Sequence, residues 1–200
     1  VDLMVETQPD NIAWLLNVRG NDVAFNPIPH SFLLVEQTGG VTWFVNTAKF
    51  EAGLAESLPN SVTVKSQPEF LATLAAKAQA ASTVWIDPEA SPTAVLLTLQ
   101  NAAATPLRRP SAVTKAKAVK NAAELSGMRA SHRDDGLAMT RFSEWLHREV
   151  PTRAAQCNPV TEREAEEKAQ FFRSDCAGYI YDSFAPISAA AGNAAMCHYA

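Results

Sequence analysis

Three groups of residues have types and spacing that could carry chemistry. His132 and Asp135 stand three apart in a helical stretch, so one face could hold an imidazole base and a carboxylate to orient it. Met128 and Met139 share that phase, however, and an apolar stripe is ordinarily core, which favours a structural hydrogen-bonded pair. Glu162, Glu164, Glu166 and Glu167 concentrate acid where a cation could gather. The first turn of a helix, whose dipole favours carboxylates, accounts for them without a ligand. Cys197 directly precedes His198, but neighbours in an extended segment point to opposite sides, so the imidazole cannot readily activate the thiol. Cys197 therefore reads as a small buried hydrophobe. His198 lies in a loop rich in Gly, Asn and Ala, where a side chain can line a cleft.

Residues that position these groups fall into two stretches. Up to about Pro110, short strands alternate with short helices: strands at 2–5, 62–65 and 83–86, and a hairpin of 31–36 with 41–46 around Gln37-Thr38-Gly39-Gly40. Val41, Trp43 and Val45 would share one face of it. Helices follow Asp10, with Ile12, Leu15 and Leu16 inward and Arg19-Gly20 as the stop, and cover 68–79 and 91–101. Strands alternating with helices imply an α/β (α+β) domain. Composition then shifts over 104–120, where Arg108, Arg109, Lys115, Lys117 and Lys120 read as a solvated linker rather than a phosphate-binding patch. Beyond it a long helix is predicted over 119–149, ended by Pro151. Its stripe is Met128, His132, Asp135, Met139, Phe142 and Leu146, in steps of four and three, and is expected to face the core. Thr161 with Glu164 forms a capping box for one more helix, and residues after Arg173 are extended and loop-like.

Composition excludes some partners. A net charge of −4 and a pI near 5.6 supply no field of cations to capture nucleic acid or an anionic membrane. No apolar run approaches the roughly 20 residues that span a bilayer, and no basic-then-apolar leader opens the chain. A cytoplasmic protein is expected, although a chain opening at Val1 need not begin where its protein does. Cys157, Cys176 and Cys197 are odd in number and widely spaced, which fits reduced thiols, and no CxxC, GxSxG, HExxH or phosphate-cradling glycine motif occurs.

Three blocks in order carry a resemblance. Asn11-Ile12-Ala13-Trp14-Leu15-Leu16-Asn17-Val18-Arg19-Gly20-Asn21-Asp22-Val23 with Asn26-Pro27 resembles the opening of the second domain of the three-domain Xaa-Pro aminopeptidases (aminopeptidase P). Lys117-Ala118-Val119-Lys120-Asn121, Glu124, Gly127-Met128-Arg129, His132, Asp135 and Phe142 to Leu146 are similar to the first long helix of their catalytic domain. Residues 183–188, Gly192-Asn193 and His198-Tyr199-Ala200 look like the strand and loop that bring in a substrate-binding histidine. These enzymes belong to the pita-bread, or creatinase, metallopeptidase family.

The resemblance implies a creatinase-N-like mixed sheet with flanking helices over 1–112, then the truncated N-terminal part of a pita-bread catalytic domain over 113–200. It implies hydrolysis of the bond between an N-terminal residue and a following proline, by water activated on two divalent ions, usually manganese. Substrate would be a peptide with proline in second position, and such enzymes are often homodimers. Only His198 is carried over as a substrate-binding residue; the Asp, Asp, His, Glu and Glu that ligate metal are expected beyond Ala200. The chain alone is thus expected to be inactive and, with a half-built sheet exposed, poorly soluble. Other readings are a creatinase or prolidase-like enzyme and a metal-free binding module. Two departures stand out: Ala191-Gly192-Asn193 where the family often has Gly-Pro-Asn, and Cys197 where an aliphatic residue is common.

Overall fold

The computed structural model describes residues 1–81 and 83–199. The chain divides into two units, Val1–Val119 and Lys120–Ala200.

The first unit begins with β1 (Leu3–Glu6) and α1 (Pro9–Leu16), a helix with Pro at its start and Asn17 in the left-handed conformation (φ 52°) at its end. The stop therefore lies at Asn17, ahead of the predicted Arg19-Gly20; Arg19 instead donates from Nη1 to the carbonyls of Ala13 and Val18 at 3.2 and 2.9 Å. Gly20 faces Pro29 so closely that a Cβ would lie 2.8 Å from the proline nitrogen, which explains the missing side chain. Asp22 then accepts from the His30 amide at 2.8 Å and pairs with Lys49, pinning the loop. The first block of the resemblance is thus structural scaffolding.

Strands β2 (Phe32–Glu36) and β3 (Val41–Phe44) form the expected hairpin, with Leu33 opposite Trp43 and Val35 opposite Val41. Gly39, at φ 87°, makes its turn. After the one-turn α2 (Leu54–Ser57) come β4 (Val62–Lys65), α3 (Phe70–Ala80), β5 (Thr83–Ile86) and α4 (Thr93–Asn101). A last strand, β6 (Thr105–Arg108), and the short α5 (Ala112–Ala118) follow.

The sheet order is β4-β3-β2-β1-β5-β6; β2 runs antiparallel to β1 and β3, and the other neighbours are parallel. This is the mixed, helix-covered sheet that the resemblance implied. Side chains alternate between its faces. Leu3, Val5, Leu34, Phe44, Val84 and Ile86 pack against Leu74 and Ala78 of α3 and Val95 and Leu99 of α4. Leu33, Trp43 and Val45 pack on the other face with Ile12 of α1 and Val18.

The segment read as a solvated linker is ordered chain. β6 is an edge strand, the one place in a sheet where Pro106 costs little, because only one side must supply hydrogen bonds. Ser111 and Val113 are buried. Glu6, buried at the end of β1, accepts from the amides of Thr7 and Gln8, from Asn11 Nδ2 and from the Ser111 hydroxyl, and Lys117 pairs with Asp10. A buried carboxylate needs this many donors to offset its lost hydration, and here they tie the start of α5 to β1 and α1.

In the second unit, Asn121 and Glu124 form a reciprocal capping box that starts α6 (Ala122–Ala155). The helix does not stop at Pro151 but passes through it. Proline removes one intrahelical hydrogen bond, and the turn beyond is held from outside: Arg153 makes two contacts to the Glu164 carboxylate, at 2.9 and 3.3 Å, and one to the Asn158 carbonyl at 3.0 Å. Thr161 and Glu164 form the predicted capping box of α7 (Glu162–Ser174). Ion pairs Arg153–Glu164, Arg141–Asp175 and Arg173–Asp135 run in opposite sequence directions, so α6 and α7 lie antiparallel.

The predicted stripe is covered only in part. Phe142 and Leu146 are half-buried, with Trp145 and Glu149 beside them and Ala138 buried, whereas Met128, His132, Asp135 and Met139 are exposed. Asp135 and Met139 still meet α7, through Arg173. Lys168 lies 4.5 and 5.1 Å from the ring centres of Phe171 and Phe172. Residues 183–188, expected to be a strand, are irregular: a strand needs a neighbour's backbone to pair with, and no described residue provides one.

Candidate functional site

The pairings proposed for chemistry rearrange in three dimensions. His132 and Asp135 do not pair: the imidazole Nδ1 lies 2.8 Å from the Met128 carbonyl, and Asp135 accepts from Arg173 Nε at 2.8 Å. Cys197 is exposed rather than buried, because its loop has no apolar layer over it. Cys157 is exposed as well, Cys176 is half-buried near the Asp134 carbonyl at 3.5 Å, and all three thiols are free. An open cleft of about 560 Å³ lies beside the C-terminal end of α7, lined by Asp134, Asp135, Arg173, Tyr179, Asp182 and Phe184 among others. Within it Arg173 holds Asp135, and Tyr179 donates to Asp182 at 3.1 Å.

The four glutamates at the start of α7 have separate fates. Glu164 closes the capping box and grips Arg153, and these contacts hold its carboxyl down at about 2. Glu167 pairs with Arg163 at 2.9 Å. Glu162, which helix-dipole reasoning treats as merely solvated, is the centre of a knot. It accepts from the Ala190 amide, from Asn193 Nδ2 at 3.2 and 3.1 Å, and from the Tyr199 hydroxyl at 2.7 Å. The Tyr199 hydroxyl first, then the Ala190 amide and the Asn193 amide, depress its carboxyl below the usual range, and the same bond raises the Tyr199 phenol.

His198 therefore stands beside an anchored residue. It is exposed, between Cys197 and Tyr199, after the single helical turn Ala191–Ala195. A hollow of about 350 Å³, lined by Glu162, Glu166, Pro186, Ile187 and Tyr199 among others, adjoins the knot. Sequence reasoning singled out His198 and missed Asn193 and Tyr199 as the groups that fasten its loop. The available signal was the extra carboxylate next to the cap Thr161, which the capping box does not need.

Among the described residues, no group of three or more His, Cys, Asp or Glu side chains is arranged to hold a metal ion. Of the carboxylates in the second unit, Glu164, Asp135 and Glu162 are engaged by Arg153, Arg173 and Tyr199. No helix among these residues is long and apolar enough to cross a membrane.

Comparison with known proteins fits this layout. Residues 1–124 match the Creatinase/Prolidase N-terminal domain and residues 126–200 match Metallopeptidase family M24. The chain is similar to Xaa-Pro aminopeptidase 1 of Dictyostelium discoideum, 32% identical over 200 residues, covering 99% of this chain and 31% of that protein. It is also similar to a probable Xaa-Pro aminopeptidase P of Podospora anserina, at 35% over 205 residues, covering 95% and 28%. Among solved structures it is similar to X-prolyl aminopeptidase from Caenorhabditis elegans, described as a cytosolic enzyme with a di-nuclear active site, with a TM-score of 0.78, 30% identity and coverage of 92% and 30%. The chain thus spans 28% to 31% of the length of these curated relatives. With more than half its length matched by the first domain and the remainder by the second, the chain belongs to the creatinase/prolidase N-terminal domain family and is a relative of the Xaa-Pro aminopeptidases of metallopeptidase family M24.

Proposed function

We propose that this chain works within a longer metal-dependent aminopeptidase that releases the N-terminal residue from peptides with proline in second position. One observation carries the reading: similarity to Xaa-Pro aminopeptidases at 30% to 35% identity runs through both units in the same order. Residues 1–112 are assigned to a supporting domain and 113–200 to the start of the catalytic one, with α5 leading from one into the other while packing on the first. Two divalent ions, manganese expected, complete the reading, with their ligands beyond Ala200. A cytoplasmic location and a homodimeric assembly accompany it.

Within this chain the assigned contribution is substrate binding. The His198 imidazole donates a hydrogen bond to the bound peptide or to the oxyanion that develops on the scissile carbonyl. A prolyl peptide bond offers no N–H for recognition, so contacts must be made to carbonyl oxygen. Replacing His198 with Ala in the full-length protein is expected to lower kcat by on the order of 100-fold, as loss of one oxyanion donor does elsewhere.

The test of the whole reading is a matched pair of peptides, one with proline and one with alanine in second position. They are incubated with the full-length protein, with and without divalent ions. Metal-dependent cleavage of the proline peptide alone is expected. Equal cleavage of both, or none with any divalent ion, overturns it. Residues 1–200 alone should cleave neither peptide.

A further inference from the structure

His198 has no anchor of its own. Its ring is exposed, and among the described residues no hydrogen bond restrains it. Ala191, at φ 48°, sits in a left-handed conformation unfavourable to alanine, so the loop does not hold its course unaided. What holds it is a single carboxylate on the first turn of α7. Glu162 engages the loop where it begins, at the Ala190 amide; in its helical turn, at Asn193; and next to the histidine, at Tyr199. An ionised carboxylate suits this role because it only accepts, and both its oxygens are used.

We propose that Glu162 is a positioning residue: it clamps residues 190–199 to α7 and so presents the His198 imidazole to the peptide substrate. This rests on the assignment of His198 to substrate contact. Glu162 itself touches no reacting atom. A misplacement of the ring by an ångström suffices to spoil the contact, and the clamp sets the backbone on both sides of the loop's strained point.

The experiment uses the full-length protein and a peptide with proline in second position. Glu162→Ala is expected to lower kcat/KM by on the order of 10- to 100-fold, the usual consequence of a small misplacement. Glu162→Gln, which keeps one acceptor oxygen, should lose less, and Glu167→Ala on the same helix should be unaffected. If Glu162→Ala does not fold, Tyr199→Phe removes one contact with minimal disturbance and should show a smaller loss. Adding Glu162→Ala to His198→Ala should cost nothing further, because the clamp acts through the histidine. An additive loss would mean that Glu162 acts elsewhere and overturns the proposal. Hydrogen exchange reads the clamp without any turnover: the Ala190 amide should lose protection in Glu162→Ala, and unchanged protection overturns the clamp alone. Wild-type activity in His198→Ala overturns instead the substrate assignment on which the proposal stands.

Discussion

The two units solve the same problem with different forces. Every buried apolar residue among the described ones lies in Val1–Val119 except Ala138. There a six-stranded sheet buries large side chains on both faces, and shape does most of the specifying. In Lys120–Ala200, direction and register come from charge: three ion pairs align α6 with α7, and one carboxylate fixes the loop that follows. Packing of the first kind tolerates changes of pH and salt, whereas exposed pairs are screened and titrate. His198, to which we assign substrate contact, sits in the unit organised by charge.

The contrast is sharpest under truncation. Phe44, 0% exposed between β2, β4 and α3, should cost about 3–5 kcal/mol when changed to Ala, by lost burial and the cavity left behind. Phe142, half-buried and stacked on Trp145, should cost about 1 kcal/mol, because its site is partly wet and can collapse. Chemical denaturation of both variants checks this. Equal costs would mean that the second unit has a core of its own and would dissolve the distinction.

Glu6 is the exception that refines the comparison, since it is a charge inside the apolar unit. Glu6→Ala leaves the Ser111 hydroxyl and two amides without this acceptor and takes one of several acceptors from Asn11 Nδ2, at a cost of about 2–3 kcal/mol. Denaturation measures the loss, and faster hydrogen exchange in α5 would locate it. A smaller loss is expected from Gly20→Ala, about 1–2 kcal/mol, because the added methyl meets Pro29 backbone rather than a side chain that can swing away.

Legibility in the sequence follows the same division. Alternation of Val41, Trp43 and Val45 and the glycine turn at Gly39 announced the hairpin, because strand register is written in neighbouring residues. β6 escaped notice because Pro106 and the flanking cations read as linker; its partner β5 is about twenty residues away, and an edge strand needs little apolar pattern of its own. Pro151 misled for a similar reason: the contacts that carry α6 past it come from Glu164 and Asn158, which local propensity does not weigh. The capping box at Thr161 was legible at three residues' range. The clamp one residue further on was not, since Glu162 finds its partners 28, 31 and 37 residues downstream. Polar contacts over such separations leave no periodic trace, so His198 could be singled out while the group that fastens its loop could not.

The smallest expected effect is also the one most specific to the charged unit. Glu164 has a carboxyl held at about 2 by Arg153 and by the cap at Thr161, against an ordinary value of 4.5. A group whose folded value is depressed stabilises fully above its unfolded value and loses that contribution as pH falls through the folded one. The grip of α7 on the last turn of α6 should therefore be constant from neutral pH down to about 4.5 and fade between there and about 2. Glu164 is largely solvated, so the change is modest; it is best read as faster hydrogen exchange of α7 amides near Thr161 rather than as unfolding of the chain. Glu164→Gln should show the faster exchange already at neutral pH and remove its dependence on acid. Added salt should mimic part of the acid effect in the natural sequence and do little in the variant. If exchange in the Phe44 core accelerates over the same range, acid acts on the chain as a whole, and the division between a unit held by shape and a unit held by charge fails.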